Sequence, residues 1–469
     1  MTSCTLIALA RPTFDVAAAQ RSFDQARQLL QDLGAEVSGP DALVMTPEDV
    51  TAAADKIKND STLKILLNAS FSDASPAVAL LADNPGEILL WSVREFGAVG
   101  ERLLLNSMCG SNLAAHALRV NGRTIKHIHG NPDEALIKSA LQSALAGKLP
   151  EYGEPTQVKG ALAEENKVDN ALASLRGKRI GAIGDAPAGF TPCNYDGDLI
   201  RKTFGVEILN RSIPEIFADI AAVSTDSQSA EYESACAAQP SLREVPEKEA
   251  RLNASTRVAL QDWISSNDLS AIAMRCWPEF AVELGACPCG AMGRTATSGT
   301  AAACERDVYG AVTMLLLEAL GSGTNYLVDT VDLDEANNLI RIWHCGSAST
   351  ELAVDPKNAT QYIHCNRKLG VAGNFPLKTG PVVLVRLDSD IDPANQSKLR
   401  LVMTSGESLP APNQFQGNTA TIRTEAPARL LVNGLIQNGF PHHTVVSWRD
   451  VRPEVRRMAE RLAIPLTEW

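Results

Sequence analysis

Leu269-Ser270-Ala271-Ile272-Ala273-Met274-Arg275-Cys276-Trp277-Pro278-Glu279-Phe280 is the stretch from which the fold can be read. Leu269 to Met274 is a short apolar run, the right length for a buried strand and too short for a helix. A Trp-Pro turn ends it, and a carboxylate follows at once. Upstream, Glu247 to Ser265 carries helical spacing. Downstream, Asp307 to Leu320 is a helix that is apolar almost all round. A buried strand between helices belongs to an α/β arrangement with a mostly parallel sheet. Ligands in such sheets bind beyond the carboxyl ends of the strands. Glu279 therefore stands where a functional carboxylate is expected, with a capping or solvated turn glutamate as the plain alternative.

The same pattern extends outward. Arg179 to Ile183 reads as a strand, so a second α/β unit is expected over residues 176–320. Its Gly181, Gly184 and Gly189 do not form the glycine fingerprint of a dinucleotide site. Cys4 to Ala10, Leu63 to Leu67 and Ile88 to Val93 read as strands, and Ala17 to Leu33 as a helix ending at Gly34. They define a first α/β unit over residues 1–155, with Gly147 to Lys167 as a connecting segment. Beyond Gly321 the texture changes. Tyr326 to Val331, Leu339 to Trp343, Val382 to Leu387, Lys398 to Thr404 and Thr419 to Arg423 are strand-like, and helical spacing returns only at Glu454 to Ala463. The expectation is two tandem Rossmann-like α/β domains followed by a β-rich C-terminal domain over residues 321–469.

Composition narrows the function classes. The chain has 469 residues and a net charge of -12, which argues against a nucleic-acid binder needing a basic field. Its hydrophobic content of 45% and charged content of 21% suit a soluble globular protein. The start, Met-Thr-Ser-Cys-Thr-Leu-Ile-Ala-Leu-Ala, has no export pattern, and no apolar run is long enough to span a bilayer. A cytoplasmic protein with no membrane partner is expected. The 10 cysteines are scattered, and Cys287-Pro288-Cys289 lacks zinc-finger spacing, so buried reduced thiols are the expected reading.

Three segments carry the chemistry. The first ends in Glu279. In the second, Cys304-Glu305-Arg306-Asp307, charges crowd the entrance of the apolar helix, where one N-cap alone would suffice. The third, Pro441-His442-His443-Thr444, holds the single adjacent pair among 7 histidines. Neighbours on a strand face opposite ways, so one ring is expected to reach a site and the other to pack elsewhere. Two carboxylates and an imidazole suit a divalent metal with open positions, manganese or magnesium before zinc, with cobalt or iron as alternatives. Such a centre can shift a carbonyl between neighbouring sugar carbons through an ene-diol, with carboxylates carrying the proton.

These segments, together with Trp91-Ser92-Val93, Asn106-Ser107-Met108-Cys109-Gly110 and His344-Cys345-Gly346, appear in an order that resembles the L-fucose isomerase and L-arabinose isomerase superfamily, particularly its shorter fucose-isomerase-like members. The resemblance implies a metal-dependent aldose–ketose isomerase with three domains. It implies a manganese site, carried over here as Glu279, Asp307 and His443, with Glu279 and Asp307 doubling as the catalytic proton-transfer pair. His442 and Glu305 are the runners-up as ligands. Arg11, Trp91, Asn106 and His344 are the implied substrate-binding residues, Arg11 reaching sugar hydroxyls across a subunit interface and Trp91 offering an apolar platform. A homo-oligomer, commonly a hexamer, is implied, the first domain of one subunit closing its neighbour's site. Other metal ene-diolate sugar enzymes (an epimerase or a carbon–carbon lyase) and a non-catalytic sugar binder are the competing classes. Arg94-Glu95 departs from the Pro-Glu expected after Trp91-Ser92-Val93, which opens the sugar specificity. An anionic sugar is within reach, with Arg11, Arg94, Arg275 and Arg294 as the cations available to hold it.

Overall fold

Short β-branched and leucine-rich runs separated by amphipathic helices build two parallel sheets. The structure, a computed structural model, describes residues 2–152, 155, 160–391 and 397–469. The first sheet contains β1 (Thr2–Leu9), β2 (Ala35–Ser38), β3 (Leu63–Asn68), β4 (Ile88–Ser92) and β5 (Ile125–His129), in the order β2-β1-β3-β4-β5. Every neighbouring pair in it is parallel. The helix Val16–Asp32 follows β1 and is capped by Asp15, whose side chain accepts from the Ala18 amide. The second sheet contains β6 (Arg179–Ile183), β7 (Glu207–Arg211), β8 (Leu269–Met274) and β9 (Ala301–Cys304), in the order β7-β6-β8-β9 and again parallel. β8 is the strand on which the reading of the fold turns. It lies inside the sheet, and Ala271 to Met274 are fully buried.

The helix Glu165–Leu175 begins inside the segment expected to connect the two units, of which residues 153–154 and 156–159 lie outside the described ones. Its Val168, Ala171 and Leu175 pack with Ile180 and Ala182 of β6, so the packing of the second unit starts ahead of Arg176.

The remaining strands are β10 (Tyr326–Asp334), β11 (Leu339–His344), β12 (Thr360–Ile363), β13 (Val371–Pro376), β14 (Gly380–Ile391), β15 (Ser397–Leu409), β16 (Asn418–Thr424), β17 (His443–Ser447) and β18 (Leu466–Glu468). Six of them close on themselves in the antiparallel ring β16-β11-β10-β17-β14-β15, because β15 also pairs with β16. Closure removes the exposed edges of those strands. Both α/β units pack on this barrel. One core joins Ile7, Leu66 and Leu90 to Val328, Ile342 and Ile422, and another joins Ile180 and Ala273 to Val385, Leu401 and Val445.

Two helices accompany the barrel. Arg452–Arg461 answers the terminal helical spacing. Ala428–Gln437 lacked a sequence signal because Asn433 and Gly434 break its pattern. Tertiary contact explains both residues. Asn433 Oδ1 bonds His127 Nδ1 at 2.8 Å, and a Cβ on Gly434 would meet the Trp469 ring at 2.6 Å. No helix among the described residues is long and apolar enough to cross a membrane.

Candidate active site

The carboxyl end of β9 meets the barrel. Cys304 closes the strand, and Glu305 and Arg306 follow with φ of 58° each, a left-handed pair that turns the chain sharply. Non-glycine residues hold this conformation only where the surroundings impose it, commonly at functional sites. The turn aims the Glu305 carboxylate at the barrel and delivers Asp307 as the N-cap of the helix Val308–Ala319.

Asp307 is fully buried, and both its oxygens are used. Oδ1 accepts from the Gly310 amide at 2.8 Å and from Arg386 Nη2 at 2.9 Å. Oδ2 accepts from Arg386 Nη1 and from His443 Nδ1, the latter at 2.8 Å. Arg386 is itself fully buried on β14. Burial alone would raise the Asp307 pKa, but Arg386 and His443 outweigh it and hold the carboxyl far below its usual range. A carboxylate with all its lone pairs engaged has none for a metal. The geometry corrects the expected role: Asp307 orients His443 rather than standing as a ligand.

With Nδ1–H given to Asp307, His443 presents a bare Nε2. That nitrogen lies 3.6 Å from Glu305 Oε2, 3.6 Å from Asp329 Oδ1 and 3.3 Å from His344 Nε2. Asp329 and His443 are direct cross-strand partners of β10 and β17, so sheet register brings them together. Asp329 Oδ1 is buried and has no hydrogen-bond partner among the described residues. The His443 nitrogen is thus shared by two ligand groups, with the orphaned buried oxygen of Asp329 on one side and the Glu305 carboxylate on the other. Glu305, His442 and His443 on one side, and Asp329, His344 and His443 on the other, each have ligand atoms within 4.8 Å of one another. Such a donor set fits a divalent cation.

The other two imidazoles are donors here. His344 Nδ1 accepts from the Cys345 amide at 2.8 Å, so its proton sits on Nε2 and points into the cluster. Burial lowers its pKa and keeps it neutral. His442 Nε2 donates to Glu305 Oε2 at 3.1 Å. Strand alternation does not separate the histidine pair, because β17 begins only at His443. Both rings therefore face Glu305, their centroids 3.9 Å apart. Burial would raise the Glu305 pKa, yet His442, His443 and His344 bring it down to about 2. Burial likewise works against a charged His443, but Asp307, Asp329 and Glu305 prevail and raise its pKa.

A cavity opens from this cluster. It is lined by Glu305, Asp329 and His442, by Trp277 and Trp343, and by Arg11, Phe71 and Asn106 of the first α/β unit. Trp277 Nε1 reaches Glu305 Oε1 at 3.4 Å. All 10 cysteines are free, and Cys276, Cys287, Cys289 and Cys345 line part of the cavity.

The structure places the sequence candidates unevenly. His443, His442, Glu305 and His344 meet in the cluster. Arg11 lines the cavity of its own chain, where reach across an interface was the expectation. Asn106 lines it too, in a left-handed conformation with its amide oxygen buried and unbonded. The loop carrying Asn106 is fastened by Glu95, which accepts from the Leu104 and Leu105 amides at 3.0 Å each. Burial, ahead of these bonds, pushes the Glu95 carboxyl up to about 7. Trp91 offers no sugar platform; it is fully buried in the core of the first unit and donates to the Gly130 carbonyl at 2.7 Å.

Glu279 stands apart from the cluster. Beyond the Trp-Pro turn it starts a short helix and pairs with Arg275 at 2.6 Å, lining a separate cleft with Tyr195 and Asn210. A carboxylate held there cannot share a cation with His443. Glu279→Gln is expected to keep turnover within about twofold, the range of substitutions outside a packed or functional centre. Steady-state assay of the purified variant checks this, and a loss beyond about 100-fold would return Glu279 to the site.

Asp329 is the group that sequence reasoning missed. Its signal was a lone carboxylate inside the apolar run Tyr326 to Val331, since a buried carboxylate must be paired or coordinated.

No family model matches the chain. Curated relatives match it from end to end. A sulfoquinovose isomerase of Alkalicoccus urumqiensis is 29% identical over 469 residues, covering 100% of this chain and 99% of its own. A sulfoquinovose isomerase of Priestia aryabhattai is 28% identical over 463 residues, with 98% of each chain covered. A third, from Clostridium sp. (strain MSTE9), is 29% identical over 458 residues, covering 97% of this chain and 96% of its own. Likeness of this extent to sugar isomerases makes the chain an aldose–ketose isomerase, an intramolecular oxidoreductase.

Proposed function

We propose that this enzyme converts a sulfonated aldose, sulfoquinovose, into its 2-ketose with the help of a divalent metal held by Glu305, Asp329 and His443. The observation that carries the metal reading is the partnerless buried oxygen of Asp329 beside the bare Nε2 of His443. The substrate reading rests on the names of the full-length relatives. The layout of two α/β units and a β-rich unit agrees with membership of the fucose and arabinose isomerase superfamily.

The reaction moves one carbon-bound proton from carbon 2 to carbon 1 and the hydroxyl proton from oxygen 2 to oxygen 1. The alcohol at carbon 2 becomes a carbonyl and the aldehyde at carbon 1 becomes an alcohol, so no external oxidant or reductant takes part. A bound divalent cation, manganese before magnesium or cobalt, would polarise the carbonyl and offset the charge that builds on its oxygen. The chain's own groups do the rest. The carboxylates of Glu305 and Asp329 accept the proton and return it to the neighbouring carbon. His344 Nε2–H donates to a sugar oxygen, and Asn106 offers its unbonded amide oxygen to a hydroxyl. Asp307 fixes the tautomer of His443, as carboxylates behind ligating histidines do. Trp277, Trp343 and Phe71 narrow the cavity and limit water around the ene-diol.

Metal analysis of the purified protein, chelation and re-addition form the test. Stoichiometric metal, loss of turnover on chelation and rescue by manganese are expected. Full activity after exhaustive chelation sinks the metal reading. His443→Ala should lose metal, whereas His442→Ala should retain it. Affinity should fall as the pH drops through the raised pKa of His443, because a proton then occupies the nitrogen the metal needs.

A further inference from the structure

Four arginines were available from the sequence to hold an anionic group, and the structure removes three of them. Arg94 is clamped to Glu134 at 2.6 Å, Arg275 to Glu279 at 2.6 Å and Arg294 to Glu231 at 2.7 Å. Arg11 has no carboxylate within 4 Å and no side-chain hydrogen bond among the described residues, and it lines the active-site cavity. A second cation in that cavity, Arg367, shares both properties. The two guanidinium groups lie against one ring, Arg11 at 4.7 Å and Arg367 at 5.6 Å from the centroid of Trp277. Arg11 also lies 5.7 Å from the Phe71 ring.

An aromatic ring holds a guanidinium by its face and leaves the planar row of N–H donors free. The ring in question also fixes the distance to the chemistry, because Trp277 Nε1–H points to Glu305 Oε1. The two cations are thus one indole away from the carboxylate that faces the reacting carbons. Burial first, and then the like charge of Arg367, destabilises the Arg11 cation. Asp73 and Glu305 offset this only from a distance, and Asp73 Oδ1 is already engaged by the Ser75 amide at 2.9 Å. Two guanidinium groups against one indole in the active-site cavity, neither with a carboxylate within 4 Å among the described residues, are open to a further anion, and a tetrahedral oxyanion group can answer both.

We propose that Arg11 and Arg367, stacked on Trp277, form a clamp for the terminal sulfonate of the substrate and so select an anionic sugar over a neutral one. This rests on the reading of the cavity as the isomerase site. The sulfonate oxygens accept from both guanidinium groups while carbons 1 and 2 lie at Glu305 and Asp329. The clamp acts on binding and register and takes no part in proton transfer.

The test avoids turnover. Two polyols without a carbonyl, 6-deoxy-6-sulfo-D-glucitol and 6-deoxy-D-glucitol, are titrated into the manganese-loaded protein by calorimetry. The wild type is expected to prefer the sulfonated polyol by about 100-fold, and Arg11→Gln and Arg367→Gln each to cut that preference by about tenfold. Arg367→Lys, which keeps the charge and loses the fork, should fall between. Equal affinity of the wild type for the two polyols overturns the clamp. So does an equal loss of both affinities in the variants, which a merely structural role would produce. If neither polyol binds, the isomerase-site reading fails instead, and ethanesulfonate titrated alone decides the clamp. Saturable binding lost in the double variant supports it, and none in the wild type overturns it.

Discussion

Asp329→Asn and Glu305→Gln are each expected to weaken divalent-metal binding by more than about 100-fold and to remove measurable turnover. The estimate is a lower bound, since losing even a group behind a ligand costs roughly 10–100-fold in metal affinity. Both substitutions keep shape and remove charge. Asp329 is 6% exposed, and its Oδ1 has no partner, so burying that charge destabilises the metal-free protein. The neutral amide of Asp329→Asn relieves the burden. Urea unfolding of the metal-free proteins should place Asp329→Asn at or above the wild type, while metal titration shows the loss of affinity. Wild-type metal affinity in both variants would remove these carboxylates from the centre.

Asp307→Ala is expected to damage stability most. The substitution leaves Arg386, a fully buried cation, without its anion. Breaking a buried ion pair from one side costs about 3–5 kcal/mol, because the remaining charge cannot reach water. It also removes the cap of the helix Val308–Ala319 and the acceptor of His443 Nδ1. Denaturant unfolding measures the first effect and metal affinity the second. Asp307→Asn should be milder in stability and still weaken the metal by roughly 10–100-fold, as the tautomer of His443 is no longer set. A stability loss under about 1 kcal/mol in Asp307→Ala would show that Arg386 finds another partner, contrary to the ion-pair account.

Period and punctuation carried much of the fold. Apolar runs such as Leu269 to Met274 and Ile88 to Val93 are too short for helices and too apolar for loops, and both are strands. The helix Ala428–Gln437 was hidden because its reasons are contacts, with Asn433 on His127 and Gly434 under Trp469. Closure of the barrel was equally hidden, since a strand's sequence states its faces and not its neighbour.

The chemistry divides along the same line. Charge crowding at Glu305-Arg306-Asp307 and the pair His442-His443 mark the centre in the sequence, because such groups are costly beside apolar runs unless something answers them. Which carboxylate does what was decided in three dimensions. Glu279, well placed by its strand, is taken up by Arg275. Asp307 is saturated by Arg386, 79 residues away, while Asp329 is left bare opposite His443 through the register of β10 and β17. Arg11 and Arg367 come from distant segments and lie against the same Trp277 indole. Residue type sets which chemistry a chain can perform. The partners each side chain finds, and those it fails to find, decide which groups remain free to perform it, and pairing of that kind is a property of packing across the whole chain.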